Sequence, residues 1–415
     1  MIRAVAAIMG AAALIAASDP RTLQRDVQTY DSFGDKLTGG PGNVATLGWI
    51  RGRLSALGYQ TSLPTFPLRT FSVQRADLQA DGQVLEGFPV TSSPGTAPSG
   101  VTGPLLRWDG KRLSDSARGS VALVLLPDQR QSSVAMSFKD VDLAEAQRVG
   151  VSAIVAVTRG PTGRLVALNA DAGDTGRVPI LLVAGDQTDA LAAAAERRVT
   201  ATVTIRMAPG GAPARNLLAV RRAGPQWIVI STPVSGWFSA AAERGPGVAI
   251  MLQLARDLPR IARCKSVAII ATSGHETGYG GMASLLAQRR LPPPERTTLW
   301  IHLGAGLAAW GDERRSKPDV LRYLQVTQPV SKDAATSFAD IPGYAQPIIV
   351  TEKTAVGEAA TVLTSGYTRV VAGVSAHLYH HTRQDHAERT DGRLIALVAD
   401  AFETMVKSAA AEGCR

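Results

Sequence analysis

The chain has 415 residues, enough for two or three domains, and its 45% hydrophobic and 19% charged residues place it among globular proteins. The formal charge of +9 comes from scattered residues, with no Lys/Arg block and no basic stripe interleaved with aromatics, which argues against nucleic-acid binding. No segment past the N-terminus is long and apolar enough to span a bilayer.

Arg3 precedes an apolar run over residues 4–17, and Asp19-Pro20 ends it. A charged start, a short apolar stretch and small residues suited to cleavage near Ala17 are the parts of an export signal. Residues 1–18 are therefore set apart as a signal peptide, and the protein is expected to be exported, periplasmic or secreted. No Cys follows the apolar run, so nothing supports a lipid anchor. Cys264 and Cys414, the two cysteines, form an even pair; in an oxidising compartment they predict one disulfide, with two unpaired thiols as the alternative.

Residues 19–69 read as a helical lead-in. Val44, Leu47, Ile50, Leu54 and Leu57 recur at helical spacing, Gly58 supplies a stop, and a strand follows at 59–63. From 70 to 212 the character changes. β-like runs at 119–126, 151–157, 178–183 and 199–207 alternate with helical stretches at 143–149 and 186–197, punctuated by Gly and Pro. That element order, with Val151-Ser152-Ala153-Ile154-Val155 set against Val178-Pro179-Ile180-Leu181-Leu182-Val183, resembles a protease-associated domain. The resemblance implies an open β-sandwich-like module, carried by exported peptidases and receptors as a lid or spacer.

Gly210-Gly211-Ala212-Pro213-Ala214 marks the next junction. Over 213–415, strands are expected at 216–221, 226–231, 266–271, 298–303 and 368–374, and helices at 247–257, 281–288, 357–363 and 392–411. Most of these strands are continuous apolar runs. That predicts an α/β domain with a mostly parallel mixed sheet and helices on both faces.

Ligands in such sheets bind beyond the carboxyl ends of the strands. The polar segments 231–237, 274–278, 302–306 and 377–386 fall at such ends. Glu243, His275, Glu276, His302 and His381, with Ser235 and Tyr379 nearby, would form a cluster able to move protons. Arg244 is suited to hold a substrate carboxylate or an oxyanion. Trp237 and Trp300 read as packing or pocket walls. A structural alternative is that His275-Glu276 forms a turn capping nearby backbone. His377, His380, His381 and His386 are four of the six histidines, a density that suggests metal. In extended chain the neighbours His380 and His381 point opposite ways, so only one of them is expected at the site; His381 is the one taken, because it opens a His-Thr-x-x-Asp run, with Asp385 fixing that loop. Ser235 lacks a Gly-x-Ser-x-Gly setting, which argues against a serine hydrolase.

Arg215-Asn216-Leu217-Leu218-Ala219-Val220, Ile228-Val229-Ile230-Ser231, Trp237, Gly247-Val248-Ala249, Ser273-Gly274-His275-Glu276-Thr277-Gly278 and His381-Thr382-Arg383-Gln384-Asp385 resemble the exported zinc aminopeptidase and glutamate carboxypeptidase family over residues 213–412. The departures from that pattern are specific. Pro233 and Ser235 stand where the family has a metal His and the Asp that orients it, Glu243-Arg244 where it has Asp-Asn, and His275-Glu276 where it has Glu-Glu. Gly304 falls near a further metal Asp, and His381 matches the final His ligand.

The resemblance implies that the ligands of one metal are lost, while Glu243, Glu276 and His381 fall where the other is held. Two carboxylates and an imidazole form a legitimate catalytic zinc set, as in the glutaminyl cyclase relatives that work with one zinc. The expectation is an exported enzyme on this scaffold with one zinc or none, acting on a small molecule or peptide. Its catalytic groups would be His275, Glu276, Glu243 and His381, and Ser235, Arg244, His302, Trp237 and Tyr379 would line the substrate. Hydrolase, lyase, isomerase and cyclase chemistry all stay open. A non-catalytic binding protein and an ordinary metallo-aminopeptidase are the competing readings.

Overall fold

The computed structural model describes residues 18–128, 130, 133–170, 176–309 and 322–412. Residues 1–17 of the expected export signal, set at 1–18, and Cys414 lie outside them; Cys264 is disulfide-bonded. Among the described residues no helix is long and apolar enough to cross a membrane.

Asp19-Pro20 opens a helix. The Asp19 carboxylate accepts from the N–H groups of Arg21 (3.1 Å) and Thr22 (3.2 Å), Pro20 takes the first helical position, and Pro20–Ser32 follows. The expected lead-in helix is Pro41–Ala56. Leu47, Ile50 and Leu54 are buried on it, but Val44 and Leu57 stay 46% and 36% exposed because they flank that stripe.

The first sheet runs in the order Gln60–Ser62, Leu217–Arg221, Ser266–Thr272, Trp227–Pro233, Thr297–His302, Val370–Val374, Tyr323–Val326, Ile348–Ile349. The four strands from Ser266–Thr272 to Val370–Val374 are parallel. Both faces are covered. Ile228 and Ile230 pack with helices Pro20–Ser32, Ala241–Ile261 and Gly392–Ala411, while Trp227 and Val229 on the same strand pack on the other face with Gly280–Ala287 and Glu358–Thr364. Burial on both faces is what a continuous apolar strand requires, so the mixed α/β class expected from sequence is the one formed.

Residues 71–209 form a second sheet, in the order Gln83–Glu86, Phe71–Ala80, Thr200–Pro209, Val101–Trp108, Val121–Leu125, Ala153–Thr158, Ile180–Ala184, Phe88–Pro89. Val101–Trp108 links two halves of it: residues 101–104 pair with Thr200–Pro209 and residues 105–108 with Val121–Leu125. One apolar cluster draws side chains from Phe71–Ala80 and Thr200–Pro209 in one half and from Val121–Leu125, Ala153–Thr158 and Ile180–Ala184 in the other, so the two halves share a core. The chain enters and leaves it through adjacent segments, tied by Phe66 N–H to the Ala214 carbonyl (3.1 Å) and Gly210 N–H to the Thr70 carbonyl (2.9 Å).

Candidate active site

Strand Trp227–Pro233 is flanked on one side by the next strand in sequence, Ser266–Thr272, and on the other by the one after, Thr297–His302. The order of strands reverses there, and the crevice beyond the carboxyl ends at such a point is where open α/β sheets hold ligands. The segments after Pro233, Thr272, His302 and Val374 all converge on it.

Helix Ala241–Ile261 starts six residues before the expected Gly247. The Gly-Pro pair after Arg244 hides this start, because its cap is remote: the Asp385 carboxylate accepts from the N–H groups of Ala242 (2.6 Å) and Glu243 (3.3 Å). The cap places Glu243 and Arg244 in the first helical turn, both fully buried, with Glu243 near the positive end of the helix. Asp385 thus fixes the loop, as expected, and also the helix.

Glu243, His380 and His381 offer ligand atoms that lie within 4.8 Å of one another. His381 Nε2 is 3.5 Å from one Glu243 oxygen and His380 Nδ1 is 3.8 Å from the other. The expectation that only one of the two histidines reaches the site assumed extended chain. His381 instead adopts φ 59°, and the two rings stack with centroids 3.9 Å apart. A positive φ at a non-glycine residue is strain that local structure has to hold. His381 Nδ1 donates to the Ala167 carbonyl (3.0 Å), which leaves Nε2 as a lone pair facing Glu243. Imidazole and carboxylate lone pairs facing each other require a cation between them, either a proton or a metal ion.

Arg244 supplies another cation. Its Nη2 lies 2.6 Å from Glu243 Oε1, yet misaligned, so both Glu243 oxygens and the Arg244 Nε and Nη1 lack a hydrogen-bond partner among the described residues. Burial opposes ionisation of Glu243, but Arg244, then His380 and His381, outweigh it and hold the carboxyl well below the usual range. Burial and the neighbouring His381 push the His380 imidazole well below its ordinary value.

Glu276 departs from the expected ligand set. It is absent from the three-residue group, and both its oxygens are already taken. Oε1 accepts from the Thr38 N–H (2.9 Å) and hydroxyl (2.6 Å), and Oε2 accepts from the Ser235 hydroxyl (2.6 Å). Ser235 Oγ also accepts from Gly274 N–H (2.9 Å), so its hydroxyl is committed to the turn and not offered to a substrate. The capping role weighed for His275-Glu276 is the one Glu276 plays.

His275 faces elsewhere. Its Nδ1 lies 3.2 Å from Glu358 Oε1, and Glu358 is fully buried and accepts from the Thr272 hydroxyl at 3.1 and 3.0 Å. His302 Nδ1 is 4.0 Å from Glu358 and 3.0 Å from the Ser231 hydroxyl, which accepts from the Trp300 indole N–H (2.8 Å). An indole nitrogen only donates, so it takes one lone pair of the Ser231 hydroxyl and leaves the other, with the hydroxyl proton, to face His302 Nδ1. Burial is the first cause that lowers His302 to about 4, drives His275 well below its ordinary value, and raises Glu358. Sequence reasoning missed Glu358; its one local signal is a position just after Gly357, at the first turn of helix Glu358–Thr364.

Of the other expected substrate residues, Trp237 lines a cavity together with Phe88 and Arg383. Trp237 is buried, donates to Asn169 Oδ1 (2.8 Å) and packs edge-on to Phe88, and Tyr379 lies buried with the Arg389 guanidinium over its ring at 4.1 Å. Residues 167–170 strap the second sheet across the site: besides Asn169, Ala167 N–H donates to His381 O (2.9 Å) and Ala170 N–H to Glu276 O (2.9 Å).

No protein-family profile matches the chain. Its fold matches a zinc aminopeptidase from Bacillus subtilis with TM-score 0.74, covering 94% of this chain and 95% of that one at 14% identity. A peptidase precursor from Shewanella amazonensis matches with TM-score 0.71 over 95% of this chain and 97% of that one at 15% identity. The chain has the zinc-aminopeptidase fold. In sequence it is similar to the Mycobacterium tuberculosis protein named "Probable lipoprotein aminopeptidase LpqL", 26% identical over 223 residues, 52% of this chain. That match spans 42% of the relative's length. The aminopeptidase fold explains where the crevice lies; the groups that fill it here are Glu243, Arg244, His275, His380 and His381.

Proposed function

We propose that this chain is an exported hydrolase of peptides or related small amides, working from the Glu243–His380–His381 centre with one zinc held there. The observation that carries the reading is the convergence of three donors, each with an uncommitted lone pair, at the ligand-binding edge of an aminopeptidase-like sheet. One carboxylate and two imidazoles suit a catalytic zinc with an open position. A zinc bound there would polarise a carbonyl and lower the pKa of bound water. The protein groups orient and enclose: Ala167 fixes the His381 ring, Asp385 fixes the helix carrying Glu243, and burial excludes bulk water. Export is supported by the apolar N-terminal run, the disulfide-bonded Cys264 and the name of the mycobacterial relative. A protease-associated role for residues 70–212 as a lid fits the strap at 167–170.

Arg244 favours a second reading. A guanidinium 2.6 Å from the one carboxylate of the set competes with a metal ion, as a metal-free enzyme or a non-catalytic binding protein would allow. An ordinary two-metal aminopeptidase is harder to build, since Pro233, Gly304 and the occupied Glu276 offer no second ligand set. Elemental analysis of the purified protein, with turnover of a panel of amino-acid anilides and dipeptides before and after chelation, decides between them. About one zinc per chain and chelator-sensitive cleavage is the expected result; neither zinc nor cleavage would leave the binding-protein reading.

A further inference from the structure

A second polar centre lies at the same edge of the sheet and holds no member of the zinc set. Its middle is Glu358, fully buried, anchored by the Thr272 hydroxyl and 3.2 Å from His275 Nδ1. His302 Nδ1 is 4.0 Å from Glu358, beyond hydrogen-bond reach, so His275, at 3.2 Å, is the imidazole that pairs with Glu358. Burial raises Glu358 and opposes its ionisation, while the Thr272 hydroxyl supports the ionised form; ionised, Glu358 accepts only, and the His275 proton then sits on Nδ1 with Nε2 as a lone pair. Among the described residues Nε2 has no hydrogen-bond partner, and the His275 side chain is 13% exposed while Glu358 has no exposure. The His275 N–H lies 3.4 Å from Ser235 Oγ, and a Cβ on the adjoining Gly236 would stand 3.9 Å from Glu243 Oε2 and Arg244 Nε, so the two centres are neighbours across residues 235–236.

We propose that His275 is the general base of the reaction and that Glu358 is its positioning residue. The inference rests on the hydrolase reading above and supplies the proton-transfer group that reading lacks, since Glu276 is committed to Thr38 and Ser235. His275 Nε2 takes a proton from water as the water oxygen bonds to the substrate carbonyl carbon and the carbonyl electron pair moves to its oxygen. On collapse the C–N bond breaks, the pair re-forms the carbonyl, and the proton held on Nε2 passes to the departing nitrogen. Water and an amide become an acid and an amine, and His275 returns to its starting state. The carboxylate keeps the ring in the right tautomer and faces the imidazolium that forms, an arrangement that recurs wherever a buried carboxylate orients a catalytic imidazole.

The test separates geometry from turnover. In uniformly ¹⁵N-histidine-labelled protein, the His275 ring, assigned by its loss in His275→Gln, is expected as the Nδ1–H tautomer, and Glu358→Gln is expected to reverse it. A carboxamide in that place offers an N–H to Nδ1 and drives the ring proton to Nε2. With the anilide and dipeptide panel, Glu358→Gln should lower kcat about a hundredfold or more with KM changed little, at unchanged zinc content. If Glu358→Gln does not fold, His275→Ala, at a partly exposed position, carries the same question. Added imidazole should then restore part of its lost turnover. An Nε2–H tautomer in the unaltered protein, or full turnover in Glu358→Gln, overturns the proposal, as does absence of imidazole rescue. If no member of the panel is cleaved, the hydrolase reading fails and the base assignment falls with it, while the tautomer measurement still reports whether the His275–Glu358 pair is built as described.

Discussion

His381 and Ala167 bind each other twice. The imidazole Nδ1 donates to the Ala167 carbonyl at 3.0 Å, and the Ala167 N–H donates to the His381 carbonyl at 2.9 Å. One residue belongs to the loop after the first sheet and the other to the strap from the second, so the second sheet sets the aim of a candidate ligand. A hydrogen bond on the remote nitrogen of a metal-binding imidazole fixes its tautomer and ring orientation, and losing it costs about ten- to a hundredfold in metal affinity. Ala167→Pro removes the N–H and disturbs the carbonyl. Zinc affinity, read by competition with a chromophoric chelator, should fall by about tenfold or more. Unchanged affinity in a folded variant would show that the strap does not aim His381.

Glu276 and Glu243 are both buried carboxylates, and the structure gives them opposite roles. Glu276 accepts three hydrogen bonds from Thr38 and Ser235, whereas Glu243 has no hydrogen-bond donor among the described residues. Glu276→Gln turns one acceptor into a donor facing a donor and should lower unfolding free energy by about 1–3 kcal/mol in urea titrations. Its bound zinc should stay the same. Glu243→Gln should abolish zinc binding, and it should also cost about 3–5 kcal/mol because it leaves the buried Arg244 guanidinium without its partner, so bound zinc is the readout that separates the two carboxylates. Loss of zinc in Glu276→Gln would restore the ligand set expected from sequence.

Most strands of the first sheet were legible because a buried strand advertises itself by apolar continuity, as in Trp227–Pro233 and Ser266–Thr272. Strand Tyr323–Val326 and helix Ser331–Phe338 were missed, since four- and eight-residue elements leave little periodicity to read. At the site, Glu243, His275 and His381 could be picked out by residue type and position beyond the strands. Their pairing could not. His380 joins His381 only because φ 59° breaks the alternation of an extended chain, and Glu358 reaches His275 through the packing of a helix that no local motif marks. Glu276 was placed in the ligand set by the family resemblance, and nothing near it in sequence shows that Thr38 and Ser235 occupy its oxygens.

Arg244 and a metal ion compete for Glu243. With its Nη2 2.6 Å from Oε1 and two nitrogens unpartnered, the guanidinium places a full positive charge beside the proposed zinc position. Arg244→Met removes that charge at similar length. Zinc affinity should rise by about tenfold or more, since a like charge at this range in a buried site is strongly repulsive. The metal-free variant should lose about 3–5 kcal/mol, because a buried carboxylate is left without its partner. Isothermal titration and urea unfolding, each with and without zinc, read both effects. Weaker zinc binding in the variant would mean that Arg244 organises the site.

Acid should weaken the metal-free protein through its buried imidazoles. His302 is lowered from 6.5 to about 4 by burial, and His275 and His380 are shifted the same way. Between pH 4 and 6.5 the unfolded chain therefore binds more protons at these groups than the native one. Their stabilising share is complete above pH 6.5 and is lost as pH falls toward 4, by roughly 3 kcal/mol for His302 alone. Glu358, raised by burial, acts in the opposite direction and offsets part of the loss. His302→Asn keeps an acceptor for the Ser231 hydroxyl and removes the titrating ring. Urea midpoints at pH 7, 5.5 and 4.5 should therefore decline less steeply in His302→Asn than in the unaltered protein. Equal slopes would place the acid sensitivity elsewhere and remove His302 from the groups held neutral by burial.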